Sequence, residues 1–241
     1  MRSLIRTGSL VFLVAMAAAL ATPSMVFAGG ETPWSFEVRA SLINPVTDDG
    51  DYVSALNSNR TGSFDLLKSI VPELAVSYRT TERFAIEVSA LLANMDMELD
   101  SPGAGELAFG DSDLKMFSLT GLFDVYDLRG TSLRFGLSFG YADFDDFDIT
   151  PAAEAAGRRS GVQLTRAPGD SASLYGIVVR FDTPFGREGW YFSSSLRYLK
   201  GGPDLVVEGH PLVPTKADAP VLSGSLDFDP LVISFGIGYQ Y

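Results

Sequence analysis

Two acidic runs, Asp143-Phe-Asp-Asp-Phe-Asp148 and Asp48-Asp49-Gly50-Asp51, and a serine triplet, Ser193-Ser194-Ser195, are the residues whose type and spacing invite chemistry. Carboxylate clusters suit hard divalent cations, which prefer oxygen ligands. The spacing of neither run matches an EF-hand loop with its glycine and terminal glutamate, so both are read as solvated acidic loops and no metal is assigned. A serine nucleophile needs a base within hydrogen-bond reach. The one histidine, His210, falls in a separate loop segment, Gly209-His210-Pro211. No catalytic residue and no cofactor is assigned, and the chain is not read as an enzyme.

Other charged residues recur at a spacing of two within apolar segments, which shifts attention to the elements that carry them. The last eleven residues alternate Leu231, Ile233, Phe235, Ile237, Tyr239 and Tyr241 with small or polar partners. A period of two places the large residues on one face of a strand and Ser234, Gly236 and Gly238 on the other. Segments 34–43, 71–79, 84–92, 115–125, 133–142, 174–182 and 190–199 repeat the pattern. Each has about the nine to eleven residues that a tilted strand needs to cross the hydrocarbon of a membrane. Short connections at 80–83, 126–132 and 183–189 alternate with long ones at 44–70, 93–114, 143–173 and 200–230. Short periplasmic turns and long outer loops are the habit of bacterial barrels. The fold class is therefore all-β: a closed antiparallel eight-stranded transmembrane β-barrel, which leaves no sheet edge unpaired in lipid.

Arg2 and Arg6, the apolar run 10–21 and Val26-Phe27-Ala28 read as a cleaved signal peptide over 1–28, too short to span a bilayer. Residues 29–241 form the barrel domain, placed in the outer membrane. With no cysteine the chain carries no disulfide and no lipid anchor on cysteine, and its net charge of −12 argues against nucleic acid. Trp34, Phe36, Tyr78, Phe84, Phe123, Phe181, Trp190, Phe192, Tyr239 and Tyr241 share the outward parity at the short-turn ends, as an aromatic girdle would. A soluble barrel with that surface would leave a wide apolar belt in water.

The inward parity divides by depth. Near the turns it holds Glu37, Arg39, Ser77, Arg79, Glu87, Asp124, Arg134, Arg180, Asp182, Ser193 and Gln240. Of these, Glu37, Arg39, Arg79, Glu87, Arg134, Arg180 and Asp182 are expected to form a charged plug, since the interior of eight strands is only just wide enough for side chains to fill. Near the outer ends it holds Ile43, Val71, Leu91, Met116, Leu174, Leu199 and Val232, the expected lining of a small apolar pocket. Glu73, Leu122 and Arg197 blur the boundary.

These residues resemble the OmpW family of eight-stranded outer-membrane proteins. The likeness lies in Asp229-Pro230-Leu231-Val232, Ser234-Phe235 and Gly238-Tyr239-Gln240-Tyr241, in 74–92 around the turn Thr80-Thr81-Glu82-Arg83, and in Arg134-Phe135-Gly136-Leu137-Ser138-Phe139-Gly140-Tyr141. The resemblance implies uptake of small hydrophobic molecules through a narrow apolar lumen blocked toward the periplasm, with release sideways into the membrane. No gate residue of the family aligns onto this chain.

The expected function is thus a narrow channel or pocket for small hydrophobic ligands. The alternative is a surface barrel that transports nothing and whose acidic loops mediate interaction or envelope adaptation. Pro72 is a candidate lateral seam, because proline donates no ladder hydrogen bond. The expected partners are outer-membrane lipid and lipopolysaccharide, with the barrel assembly machinery engaging the strand that ends at Tyr241. Pro151-Ala-Ala-Glu-Ala-Ala-Gly157 has the proline start and glycine stop of a helical turn. Leu205-Val206-Val207 and Val221-Leu222 either extend the last two strands as a hairpin or cover the pocket.

Overall fold

The computed structural model describes residues 33–46, 50–54, 61–101, 105–128, 130–159, 161–186, 189–211, 219–225 and 228–241. The leader (1–28) and the acids at 48 and 49 lie outside them. Eight strands form a closed antiparallel ring: β1 (Trp34–Pro45), β4 (Ser69–Thr81), β5 (Phe84–Ser101), β6 (Gly105–Leu128), β7 (Thr131–Phe144), β10 (Ser171–Pro184), β11 (Trp190–Lys200) and β14 (Pro230–Gln240). Chain neighbours pair around the ring, and β14 closes it on β1 with Phe36 opposite Tyr239 and Ile43 opposite Val232. The fold class and all eight expected strands are as found.

Alternation sets the two faces. On β14, Phe235 is 64% exposed and its neighbour Ser234 is buried, and on β7 Leu137 is 73% exposed beside buried Ser138. The exposed face carries Val38, Leu74, Leu119, Phe139, Ile177 and Leu196, a band fit for lipid rather than water. At its short-turn end Trp34 packs on Tyr78 with ring centroids 4.7 Å apart, and Trp190 on Tyr239 at 5.2 Å. Among the described residues no helix is long and apolar enough to cross a membrane.

The long connections are not irregular. Strands β5 and β6 run on past the other six as a tall hairpin, with Phe84 facing Phe123 at the foot of the ladder, Leu91 facing Met116 midway and Ser101 facing Gly105 at its tip. Onto this hairpin an outer sheet is built from β3 (Thr61–Leu66), β2 (Gly50–Ser54), β13 (Ala219–Ser225), β12 (Asp204–Pro211) and β9 (Val162–Arg166), in the order β5-β3-β2-β13-β12-β9. β12 and β13 do form a hairpin, but it joins β9 and β2 instead of prolonging β11 and β14. On the other side β8 (Asp148–Ile149) pairs with β6, and a lone bridge links Phe147 to Ala167.

Helix α1 (Pro151–Arg159) sits where the helical turn was expected. The Thr150 hydroxyl accepts the Ala153 amide at 3.1 Å, a cap on an otherwise orphan donor. At its other end Gly161 takes a positive φ of 83° and donates its amide to the Arg158 carbonyl.

Candidate functional site

The inward residues fall into tiers, built by which strand each occupies and by the ladder registers. The lowest tier is a network of buried ions. Arg39 (β1) grips Glu87 (β5) with both terminal nitrogens, at 2.9 and 2.5 Å, while its Nε donates to Glu37 at 2.7 Å. Arg180 (β10) donates to Glu37 and Glu87 and holds Asp182 through Nε at 2.8 Å. Arg134 (β7) joins Asp182 at 3.0 Å to Asp124 at 2.5 Å. Tyr191 completes the tier by donating its hydroxyl to Glu37 at 2.8 Å. Six of the seven residues expected in a charged plug are thereby brought together. Arg79 is not: it stands half-buried beside a register shift at the turn end of β4, and none of the ion pairs among the described residues includes it.

Buried charges carry a large desolvation cost that only close partners offset. Small residues make the room for them. An added Cβ at Gly236 would lie 2.6 Å from Arg39 Cγ, and one at Gly238 2.3 Å from the Tyr191 ring. A small apolar patch of Ala85, Leu122 and Val178 lies on one wall, which explains why Leu122 broke the polar pattern of its depth.

Above the ions lies a belt of hydroxyls tied by one more ion pair. Arg197 (β11) reaches across the lumen to Glu73 (β4) at 2.7 Å and to Ser118 (β6) at 3.0 Å. Ser41 and Ser234 donate to the other oxygen of Glu73 at 2.6 and 3.0 Å, and Ser89 bonds Ser118 at 2.7 Å. Glu73 and Arg197 looked like exceptions in sequence because nothing local pairs them. The signal that could have joined them is that both are lone charges on inward parity at the same depth.

The top tier is apolar. Ile43, Val71, Leu91, Met116, Leu174, Leu199 and Val232, on seven different strands, are 0–5% exposed and belong to one continuous cluster. Sequence reasoning missed how far that cluster rises. It continues through Met95, Met97 and Phe109 of the tall hairpin, Phe64 of β3, Phe144 of β7 and Phe228. Phe64 meets Phe109 edge-on at 5.6 Å, and Phe144 meets Phe228 at 5.2 Å. The outer aromatics thus carry the buried cluster on above the barrel ring, as the ions fill its base.

Pro72 lies on β4, exposed to the outside, where the β4–β5 ladder runs out. That ladder stops at Glu73 opposite Leu91, and β5 regains a partner on this side only at Met97 opposite Leu66. In between, the Leu67 amide donates to the Asp96 carbonyl. Outside this gap stand Ile70 and Leu92, 77% and 64% exposed; inside stand buried Val71, Leu91 and Met95.

The acidic and serine motifs serve other ends. Asp145 pairs with Lys115 at 2.7 Å and Asp146 with Arg166 at 2.9 Å, so part of the run at 143–148 is neutralised by side chains. Ser193 and Ser195 are inward on β11, Ser195 opposite Ser234 of the belt and Ser193 one step lower opposite Gly236, while His210 lies in β12 of the outer sheet, opposite Gln163.

Comparison with known proteins agrees with this architecture. The chain is similar in structure to the outer membrane protein OprG from Pseudomonas aeruginosa, with a TM-score of 0.70 and 16% identity over 86% of this chain and 95% of that one. It is also similar to the outer membrane protein AlkL determined in lipid bilayers, with a TM-score of 0.53 and 15% identity over 91% and 95% of the two chains. No family model and no curated protein matches the sequence. Ring, lipid-facing band and these likenesses define an eight-stranded outer-membrane β-barrel. OprG and AlkL are both OmpW-type barrels, so the fold implied by the resemblance in the sequence is the fold present.

Proposed function

We propose that this barrel is an OmpW-type protein that admits small hydrophobic molecules from outside into the apolar tier and releases them sideways at Pro72. The observation that carries the reading is the seven-strand apolar ring over a floor of ion pairs, directly beside the gap in the β4–β5 ladder. The floor bars a straight aqueous path to the periplasm. The gap offers an apolar ligand a way into lipid that breaks no ladder hydrogen bond, whereas a fully paired wall would charge for each one opened. All three methionines beyond residue 28, Met95, Met97 and Met116, lie in the cluster, and unbranched thioethers repack more readily than β-branched side chains.

A second reading is favoured by the packing of Phe64, Phe109, Phe144 and Phe228 over the lumen. In it the apolar tier is simply a core beneath the outer sheet, and the barrel anchors an acidic surface that meets a partner or lipopolysaccharide. Met116→Asp separates the two, because an unpaired buried carboxylate repels an apolar ligand or draws in water. Uptake of a small alkane by proteoliposomes should fall toward that of empty liposomes, with heat-modifiable gel migration preserved. Undiminished uptake in folded variant, or none in the parent, favours the anchor.

A further inference from the structure

Six of the seven apolar lining residues stand two residues along the same strand from a member of the polar belt. The pairs are Ile43 with Ser41, Val71 with Glu73, Leu91 with Ser89, Met116 with Ser118, Leu199 with Arg197 and Val232 with Ser234. Strand periodicity therefore puts a polar side chain directly beneath each of them on the lumen face. The apolar tier does not end in a greasy floor. It ends on hydroxyls, one carboxylate and one guanidinium.

Most of that belt is internally satisfied, but one wall is not. On the inner face of β11, Arg197 Nε, Ser195 Oγ and Ser193 Oγ are buried without a hydrogen-bond partner in the protein. The residues are 1%, 6% and 5% exposed, and their spacing of two aligns them along the lumen. Native proteins seldom leave buried polar atoms without a partner, so these three atoms are open to an oxygen supplied from outside the protein, a ligand's or a water's. Arg197 Nε can only donate, so it asks for an acceptor; a serine hydroxyl can give or take.

Charge narrows the class. The buried residues of the network set Arg39, Arg134, Arg180 and Arg197 against Glu37, Glu73, Glu87 and Asp182, four charges against four, with half-buried Asp124 at the turn end beside Arg134. A carboxylate ligand would add a negative charge with no free cation to a desolvated site whose guanidiniums are already matched by carboxylates. A neutral oxygen meets the free donors without that cost.

We propose that the floor of the apolar tier, Arg197 with Ser195, is a head-group site, and that the ligands admitted are small amphiphiles carrying one neutral oxygen acceptor, such as an alcohol, phenol, ketone or ester. The proposal rests on the uptake reading above and adds the polarity of the ligand to it. The tail lies among Leu199, Val232 and Met116, and the oxygen points down at Arg197 Nε.

The test is a titration of the full barrel in lipid nanodiscs with octane, 1-octanol and octanoate at equal thermodynamic activity, read from the methyl resonance of Met116. Octanol should half-saturate at roughly two- to tenfold lower activity than octane, the range of one net hydrogen bond. Octanoate should bind more weakly than octanol. Ser195→Ala removes an atom that holds no bond in the barrel, and Arg197→Lys keeps a cation for Glu73 while deleting Nε. Either should bring the octanol-to-octane ratio toward one. Equal response to octane and octanol in the parent, or a preference for octanoate, would overturn the head-group site while leaving apolar uptake standing. A ratio unmoved by both variants would overturn it too, and a Met116 resonance that moves with none of the three ligands would bring down the uptake reading itself.

Discussion

Arg39 and Glu87 meet across the lumen as a two-pronged pair, Nη1 to Oε1 at 2.9 Å and Nη2 to Oε2 at 2.5 Å, although their strands are separated in the ring by β4. Glu87 also accepts from Arg180 and, at 3.3 Å, from Ser77. Glu87→Ala would leave two buried guanidiniums each short of a partner. Loss of one side of a buried pair costs about 3–5 kcal/mol. Urea unfolding in lipid vesicles should show a loss of that order, and replacing Glu87 and Arg39 together with Leu and Met should cost less than Glu87→Ala alone. Equal midpoints for Glu87→Ala and parent would mean the plug contributes nothing to stability.

Gly236 is where the ring yields space to that plug. A Cβ there would come within 2.6 Å of both Arg39 Cγ and the Val38 carbonyl oxygen, and the second contact is backbone that a strand cannot move aside cheaply. Gly236→Ala should therefore lose about 1–3 kcal/mol, the usual cost of overpacking. The temperature at which heat-modifiable migration is lost measures it, and an unchanged temperature would mean that the ring has room to spare at this position.

Parity makes the barrel legible in the sequence. Phe235 and Ser234 differ in type because one meets lipid and the other the lumen, so the eight lipid-crossing strands announced themselves. Arg197 and Glu73 did not, because their partnership runs from β11 to β4 across the lumen and leaves no trace in local spacing. Arg79 had the right parity for the plug, but the register shift next to it ends the alternation. The outer sheet was hidden for a different reason. Its pairings, such as Tyr52 with Gly224, join short strands far apart in the chain, where neither face must meet lipid and alternation is not enforced. Phe64, Phe109 and Phe228 were thus unreadable as a cap until the sheet brought them over the lumen.

Orientation follows from the uneven ends of the ring. The tall hairpin, outer sheet and α1 all rise from one end, while among the described residues the other carries tight turns such as Glu82-Arg83. Because the chain has no cysteine, single replacements report cleanly. Asp146→Cys, at a side chain 55% exposed beside Arg166, should react with a membrane-impermeant maleimide added to intact cells. Glu82→Cys should react only after the outer membrane is breached. The reverse pattern would invert the barrel.

The gap beside Pro72 makes the sideways route open to direct trial. Carrying the β4–β5 register one step past Glu73 and Leu91 puts residue 72 opposite residue 92, and both positions face lipid. Residues directly opposite in an antiparallel pair have Cβ atoms about 4.5–5.5 Å apart, a separation that a small strand shift brings within reach of a disulfide. The double variant Pro72→Cys, Leu92→Cys should fold, since no lumen residue changes, and should cross-link on oxidation. If apolar ligands leave through this gap, the oxidised barrel should accumulate less alkane in proteoliposomes than the same sample after reduction, while the parent shows no redox dependence. Equal uptake by the cross-linked and reduced forms would place the exit elsewhere on the wall and leave Pro72 as nothing more than the end of a ladder.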